Sequence, residues 1–101
     1  IGVLQAATAK KILDEDNNSI LLDVRTESEY KSKRIPNSKL IPVDELENRA
    51  EEELADKNSI IIIYCRSGNR SKTASKKLLD LGYQNVYDLG GIIDWPYETE
   101  S

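Results

Sequence analysis

Two short runs, Ile20-Leu21-Leu22-Asp23-Val24 and Ile60-Ile61-Ile62-Ile63-Tyr64, constrain this chain most. Apolar and β-branched residues on consecutive positions leave no polar face, which suits strands covered on both sides within a parallel sheet. They are read as central strands. Leu40-Ile41 and Val86 to Leu89 are weaker strand candidates, and Val3-Leu4 adds a short edge. Helical spacing falls between these runs. Ala6 to Leu13 puts Ala9, Ile12 and Leu13 on one side, and Thr26 followed three residues later by Glu29 reads as a capping box. Asp44 is placed to cap a helix through about Leu54. The clearest helix runs from about Arg70 to Leu81, with Ala74, Leu78 and Leu81 on one stripe, lysines opposite and Gly82 placed to end it. Strands alternating with helices predict an α/β domain with a mainly parallel sheet. Such sheets bind ligands beyond the carboxyl ends of their strands.

At 101 residues the chain suits a single domain, 1–101, that buries roughly 65% of the surface its unfolded form exposes. A formal charge of −4 argues against general nucleic-acid binding. The charge is uneven, however. From Cys65 to Lys77 there are five basic residues (Arg66, Arg70, Lys72, Lys76, Lys77) and no acidic one, so that stretch is +5 and the remainder −9. One cysteine excludes an internal disulfide, and with no histidine present a zinc site or a cysteine–histidine dyad is not expected. No metal or cofactor is called for by any motif. The apolar runs are too short for a membrane span. A lone thiol suits the cytoplasm. The chain begins at Ile1 rather than methionine, which reads as a trimmed start and keeps an exported mature chain as the alternative.

Cys65 directly follows the most hydrophobic strand, and the next helix begins about five residues later. The loop Cys65-Arg66-Ser67-Gly68-Asn69-Arg70 therefore lies where an open α/β sheet builds its sites. Unpaired first-turn amides of the helix, the flexible Gly68 and two flanking arginines all favour a thiolate over a thiol. Such a sulfur is nucleophilic without a general base, consistent with the absence of histidine. The same amides form an anion cradle, to which Arg70 can add a planar fork of donors and the Ser67 hydroxyl one more. The plainer reading is that Cys65 is a small buried hydrophobe, with Asn69 and Ser71 as loop and capping residues.

These residues resemble the rhodanese family. Asp23-Val24-Arg25, Glu29-Tyr30, Ile35-Pro36 and Ile41-Pro42 are similar to its first signature. Tyr64 to Ser71 is similar to its active loop, and Leu81-Gly82-Tyr83, Gly90-Gly91 and Trp95 to its closing signature. The resemblance implies a five-stranded sheet flanked by helices on both faces. It also implies sulfurtransferase activity, in which Cys65 cycles between thiol and persulfide. Sulfane sulfur would pass from a small anionic donor such as thiosulfate to cyanide or a thiol, a thioredoxin-like protein included. By the same resemblance Arg66, Ser67, Gly68, Asn69 and Arg70 bind the substrate, while Asp23, Arg25 and Glu29 brace the loop. Gly90, Gly91 and Trp95 are packing elements. One departure is Lys33-Arg34, where the family pattern commonly has Gly-His; Arg34 is read as solvated. Two rivals stand beside this reading. One is a persulfide relay or regulatory module with little turnover of its own. The other is a cysteine-dependent phosphatase or arsenate reductase, disfavoured because those enzymes resemble a pattern with five residues between cysteine and arginine, whereas Cys65 and Arg70 are separated by four.

Overall fold

The computed structural model describes residues 2–101. Five strands, β1 (Gly2–Val3), β2 (Ile20–Asp23), β3 (Lys39–Leu40), β4 (Ile60–Cys65) and β5 (Asn85–Gly91), form one sheet in the order β1-β5-β4-β2-β3. Every pairing is parallel. The two apolar runs are β2 and β4, which lie side by side with Leu22 opposite Ile63 and Asp23 opposite Tyr64. Their continuous hydrophobicity follows from burial on both faces. Leu22, Val24, Ile61, Ile63 and Cys65 enter one core cluster, whereas Leu21, Ile62 and Tyr64 enter the other.

Helices α1 (Ala6–Glu15), α2 (Glu27–Ser32), α3 (Leu46–Glu53) and α4 (Asn69–Asp80) connect the strands. Leu46, Ala50 and Leu54 from α3 and its end join Ala74 and Leu78 of α4 over the first face. On the second face Ala9 of α1 packs with Ile35 and Ile92, and Trp95 lies against them. The capping box at α2 forms as the sequence predicts: the Thr26 hydroxyl accepts the Glu29 N–H, and the Glu29 carboxylate accepts the Thr26 N–H. Gly82 also ends α4 as predicted. Its φ of +96° permits a Schellman closure, in which the Gly82 N–H reaches the Leu79 carbonyl and the Tyr83 N–H reaches that of Leu78.

Asp44 behaves differently. It lies inside a 3₁₀ turn, Val43–Glu45, and α3 starts after Glu45 without a side-chain cap. Pro42, in extended backbone at φ −55° and ψ 143°, precedes the turn, and the α-helix starts at Leu46, one residue later than a cap at Asp44 implies. No helix among the described residues is long and apolar enough to cross a membrane.

Candidate active site

Cys65 is the last residue of β4, the strand flanked by β5 and β2 in the middle of the sheet, so the loop that follows leaves from its carboxyl edge. The chain must reverse into α4 within three residues. Gly68 makes this possible with φ +113°, a conformation that L side chains rarely adopt. The same turn aims the Gly68 N–H at the Cys65 sulfur, 3.0 Å away. α4 begins without a side-chain cap, and among the described residues the N–H groups of Asn69, Arg70 and Ser71 have no protein acceptor. The positive end of the helix is thus unneutralised beside the sulfur. Ser71 is fully buried and donates to the Gly68 carbonyl at 2.9 Å, which ties the loop to the first helical turn.

β5 supports the loop from the other side. Its register with β4 slips between Ile63 and Tyr64, where Leu89 is passed over and Tyr64 meets Gly90. This bulge, with Gly90 at φ +92° and its N–H held by the Asp88 carboxylate at 2.9 Å, carries Gly91 under the loop. A Cβ on Gly91 would lie 2.2 Å from the Arg66 carbonyl oxygen. That carbonyl accepts the Ile93 N–H at 3.3 Å. Gly91 is therefore the residue that lets two backbones touch beneath Cys65.

Two ion pairs frame the site. Arg70 places both terminal guanidinium nitrogens on Glu29, at 2.7 and 2.9 Å, across 41 residues of sequence. The Glu29 carboxyl is held down to about 2, first by the Arg70 hydrogen bonds, which outweigh partial burial, and then by Thr26. Arg70 is raised in turn, chiefly by Glu29, with Cys65 and Asp23 adding smaller contributions. Asp23 and Arg25 form the second pair, buried and joined at 2.7 Å, and the Arg25 guanidinium also donates to the Lys33 carbonyl at 2.6 Å. Burial opposes the charge on Arg25, but the hydrogen bond and charge of Asp23 more than offset it and leave its pKa raised. Arg25 sits over the Tyr64 ring at 5.5 Å. Asp23 and Arg25 thus back the end of β4, whereas Glu29 reaches the loop itself.

Cys65 is 1% exposed, at the base of a loop whose Arg66, Ser67 and Asn69 are exposed. The Arg66, Ser67 and Asn69 side chains make no hydrogen bond or ion pair among the described residues. The Ser67 hydroxyl is turned to solvent and does not meet the sulfur, because Gly68 rather than Ser67 supplies the inward donor. Arg34 is not simply solvated. It pairs with Glu100 at 3.0 Å, bonds the same residue through both backbone groups, and lies over the Tyr30 ring at 4.8 Å. The C-terminal segment occupies the space beside Lys33-Arg34. Trp95 packs edge-on to Tyr97 and donates to the Glu98 carbonyl, in keeping with a packing role.

Sequence reasoning does not single out Tyr64. Its buried hydroxyl accepts the Ile35 N–H at 3.2 Å and shares a hydrogen bond with the Ser38 hydroxyl, and burial pushes its pKa up to about 12. An aromatic inside an apolar strand run carries no signal that its hydroxyl will anchor a loop 29 residues away. Ile93 carries no sequence signal either; it is 64% exposed at the turn that contacts Arg66. A cavity of about 470 Å³ lined by Leu13, Asp16, Pro36, Trp95 and Tyr97 includes no residue of the cysteine loop.

The chain matches the rhodanese-like domain family over residues 5–97. A candidate sulfur carrier protein of Bacillus subtilis, YrkF, is 37% identical over 92 residues, which cover 90% of this chain and 49% of that protein. A sulfurtransferase of Allochromatium vinosum is 32% identical over 96 residues, 94% of this chain and 88% of that protein. Among solved structures, a rhodanese with anions from E. coli superposes with a TM-score of 0.77 at 28% identity, covering 82% of this chain and 98% of that one. The chain spans about half the length of YrkF, and 21% of the adenylyltransferase and sulfurtransferase UBA4 of Debaryomyces hansenii, which it also matches.

Proposed function

The chain belongs to the rhodanese-like domain family, and from that premise we propose that it is a sulfurtransferase that carries sulfane sulfur on Cys65. The donor is a small anion such as thiosulfate and the acceptor is cyanide or a thiol, including one on a thioredoxin-like protein. One observation carries this reading: Cys65 is 1% exposed and its sulfur accepts the Gly68 N–H at 3.0 Å in front of the uncapped start of α4. A sulfur anion there is solvated by backbone dipoles in place of water.

In the first half-reaction the Cys65 thiolate attacks the outer sulfur of thiosulfate. A cysteine–sulfur bond forms, the sulfur–sulfur bond of the donor breaks, and sulfite leaves with the electron pair. In the second, cyanide or a thiolate attacks the terminal persulfide sulfur and restores the Cys65 thiolate. The transferred atom is the tip of a slender donor, which suits a recessed thiol. Arg66, whose guanidinium has no partner among the described residues, meets the donor anion. Arg70 contributes charge and its remaining Nε–H from its tether on Glu29. Ser67, Gly68 and Asn69 supply the rim. Asp23, Arg25 and Glu29 hold this arrangement and take no part in the chemistry.

A relay or regulatory module is the second reading, favoured by the small share of UBA4 that a domain of this size represents. The enzyme and the persulfide relay both predict that incubation with thiosulfate adds the mass of one sulfur atom, and that Cys65→Ser shows no such gain. An unchanged mass with a free thiol would sink sulfur loading from this donor. Thiocyanate release on adding cyanide then separates an independent enzyme, which turns over, from a relay module, which does not. Hydrolysis of an aryl phosphate would instead favour the phosphatase reading.

A further inference from the structure

Of the fourteen arginines and lysines in the chain, nine have a carboxylate within 4.0 Å. Among the described residues the five without one are Lys11, Lys33, Arg66, Lys72 and Lys76. Three of these five belong to the cysteine loop and α4, and all three are exposed. The two other basic residues of that segment are committed: Arg70 to Glu29 and Lys77 to Glu47. In a chain of net charge −4 the face leading to Cys65 is therefore left positive.

Helical geometry gives this face a direction. Lys72, Lys76 and Leu79 are spaced at i, i+4 and i+7, so they share one side of α4, opposite the buried Ala74 and Leu78. Leu79 is 37% exposed, and Ile93, the exposed apolar residue whose N–H is bonded to the Arg66 carbonyl, stands at the loop end. The acidic groups nearby weaken the pattern without cancelling it. Glu29 is consumed by Arg70 and Asp88 is buried under Gly90, whereas Asp80, four residues after Lys76 on the same side of α4, and Asp94, beside Ile93, are exposed and reduce the three free cations to a net charge of +1.

The geometry points to a docking surface for a protein acceptor, in which Lys72, Lys76 and Leu79 of α4, with Ile93 at the loop, receive an acidic segment that carries apolar side chains next to its reactive cysteine. This rests on the sulfur-transfer reading for its purpose, but not for its test. Steering by unpaired cations raises encounter rates for an acidic partner and is screened by salt. A cyanide ion or a small neutral thiol would not use the lysines, which lie one to two helical turns from the sulfur.

The probe is a short peptide with glutamates and a leucine around one cysteine, activated as its mixed disulfide with thionitrobenzoate, alongside a lysine-containing counterpart. Cys65 attacks the peptide sulfur and thionitrobenzoate leaves, so the rate is read from its colour without any persulfide being formed. The acidic peptide is expected to react about ten-fold faster than the basic one at low ionic strength, with the advantage shrinking as salt is added. The double variant Lys72→Glu/Lys76→Glu should remove or invert that preference, and Lys72→Ala/Lys76→Ala should reduce it. Reaction with neutral hydroxyethyl disulfide should stay unchanged in both variants. Three results would overturn the proposal: equal rates for the two peptides, a preference that survives the charge reversal, or a parallel fall with the neutral disulfide, which would mean that the lysines act on the thiolate. Stronger inhibition by a single-stranded oligonucleotide than by an acidic peptide of equal charge would likewise overturn it. The thiosulfate mass experiment fails or succeeds separately from all of these.

Discussion

A methyl group added at Gly91 would meet the Arg66 carbonyl oxygen at 2.2 Å and the Ser67 Cα at 2.7 Å, both of them backbone atoms that cannot swing aside. Gly91→Ala must therefore push the cysteine loop away from β5. Overpacking of this kind costs about 1–3 kcal/mol. The expected outcome is a lower urea midpoint together with slower sulfur loading, since the displaced loop carries the Gly68 N–H away from Cys65. Gly90 is the useful contrast. A Cβ there would meet nothing within 4 Å, but the backbone holds φ at +92°, so Gly90→Ala should cost backbone strain while leaving the loop in position. Wild-type loading kinetics in Gly91→Ala, measured by intact mass against time, would show that the contact does not support the site. The Gly90-Gly91 pair is legible in the sequence as packing. Which glycine supplies conformation and which supplies space depends on the bulge, and a bulge has no local signature here.

At the level of elements, α2 and α4 are clamped together by Glu29 and Arg70. Each half is visible in the sequence: Glu29 through its capping box with Thr26, and Arg70 through its place at the end of the cysteine loop. Their pairing is not, because it spans 41 residues and is set by the sheet order, which brings the ends of β2 and β4 side by side. Glu29→Gln keeps the capping box, which accepts Gln at that position, and removes the charge from the clamp. With both side chains roughly a third exposed, solvent screening holds the loss to about 1 kcal/mol. Arg70→Ala makes the same structural cut and also removes the cation. If Arg70 serves the donor as well as the clamp, Arg70→Ala raises the thiosulfate KM several-fold and Glu29→Gln does not; steady-state kinetics with cyanide as acceptor decide it. Equal effects on KM would confine Arg70 to holding the loop. The central strands are the easiest elements to read from sequence, since residues buried on both faces must be apolar throughout. The edges are harder. β1 is Gly2–Val3 and β3 is Lys39–Leu40, each one residue earlier than the apolar pairs suggest, because a two-residue edge strand is defined by its hydrogen-bonded neighbour and not by its own side chains.

For the whole molecule, two groups with displaced titration bracket the pH range in which the site frame is intact. Glu29 is held at about 2 in the folded chain, below the ordinary 4.5, so its carboxylate form favours folding. That contribution is fully present above pH 4.5 and is lost as pH falls from 4.5 toward 2. Tyr64 is displaced in the other direction, from 10 to about 12, by burial. Its neutral phenol favours folding, so its contribution is fully present below pH 10 and is lost as pH rises from 10 toward 12. Urea unfolding measured across pH should therefore show stability falling on both flanks. The variants identify the cause of each. Glu29→Gln should make the acid flank shallower, with Glu27 and Glu53, also held low by their neighbouring cations, supplying the remainder, and should leave the alkaline one. Tyr64→Phe should flatten the alkaline flank while lowering stability below pH 10 by about 1–3 kcal/mol, since the Ile35 N–H loses its acceptor in a buried setting. The two flanks report on different regions of the frame: the acid one in part on the clamp between α2 and the cysteine loop, the alkaline one on the anchor between β4 and the segment before β3. An acid flank unchanged in Glu29→Gln would mean that the clamp contributes nothing to folding, and its role would then be confined to the orientation of Arg70 beside Cys65.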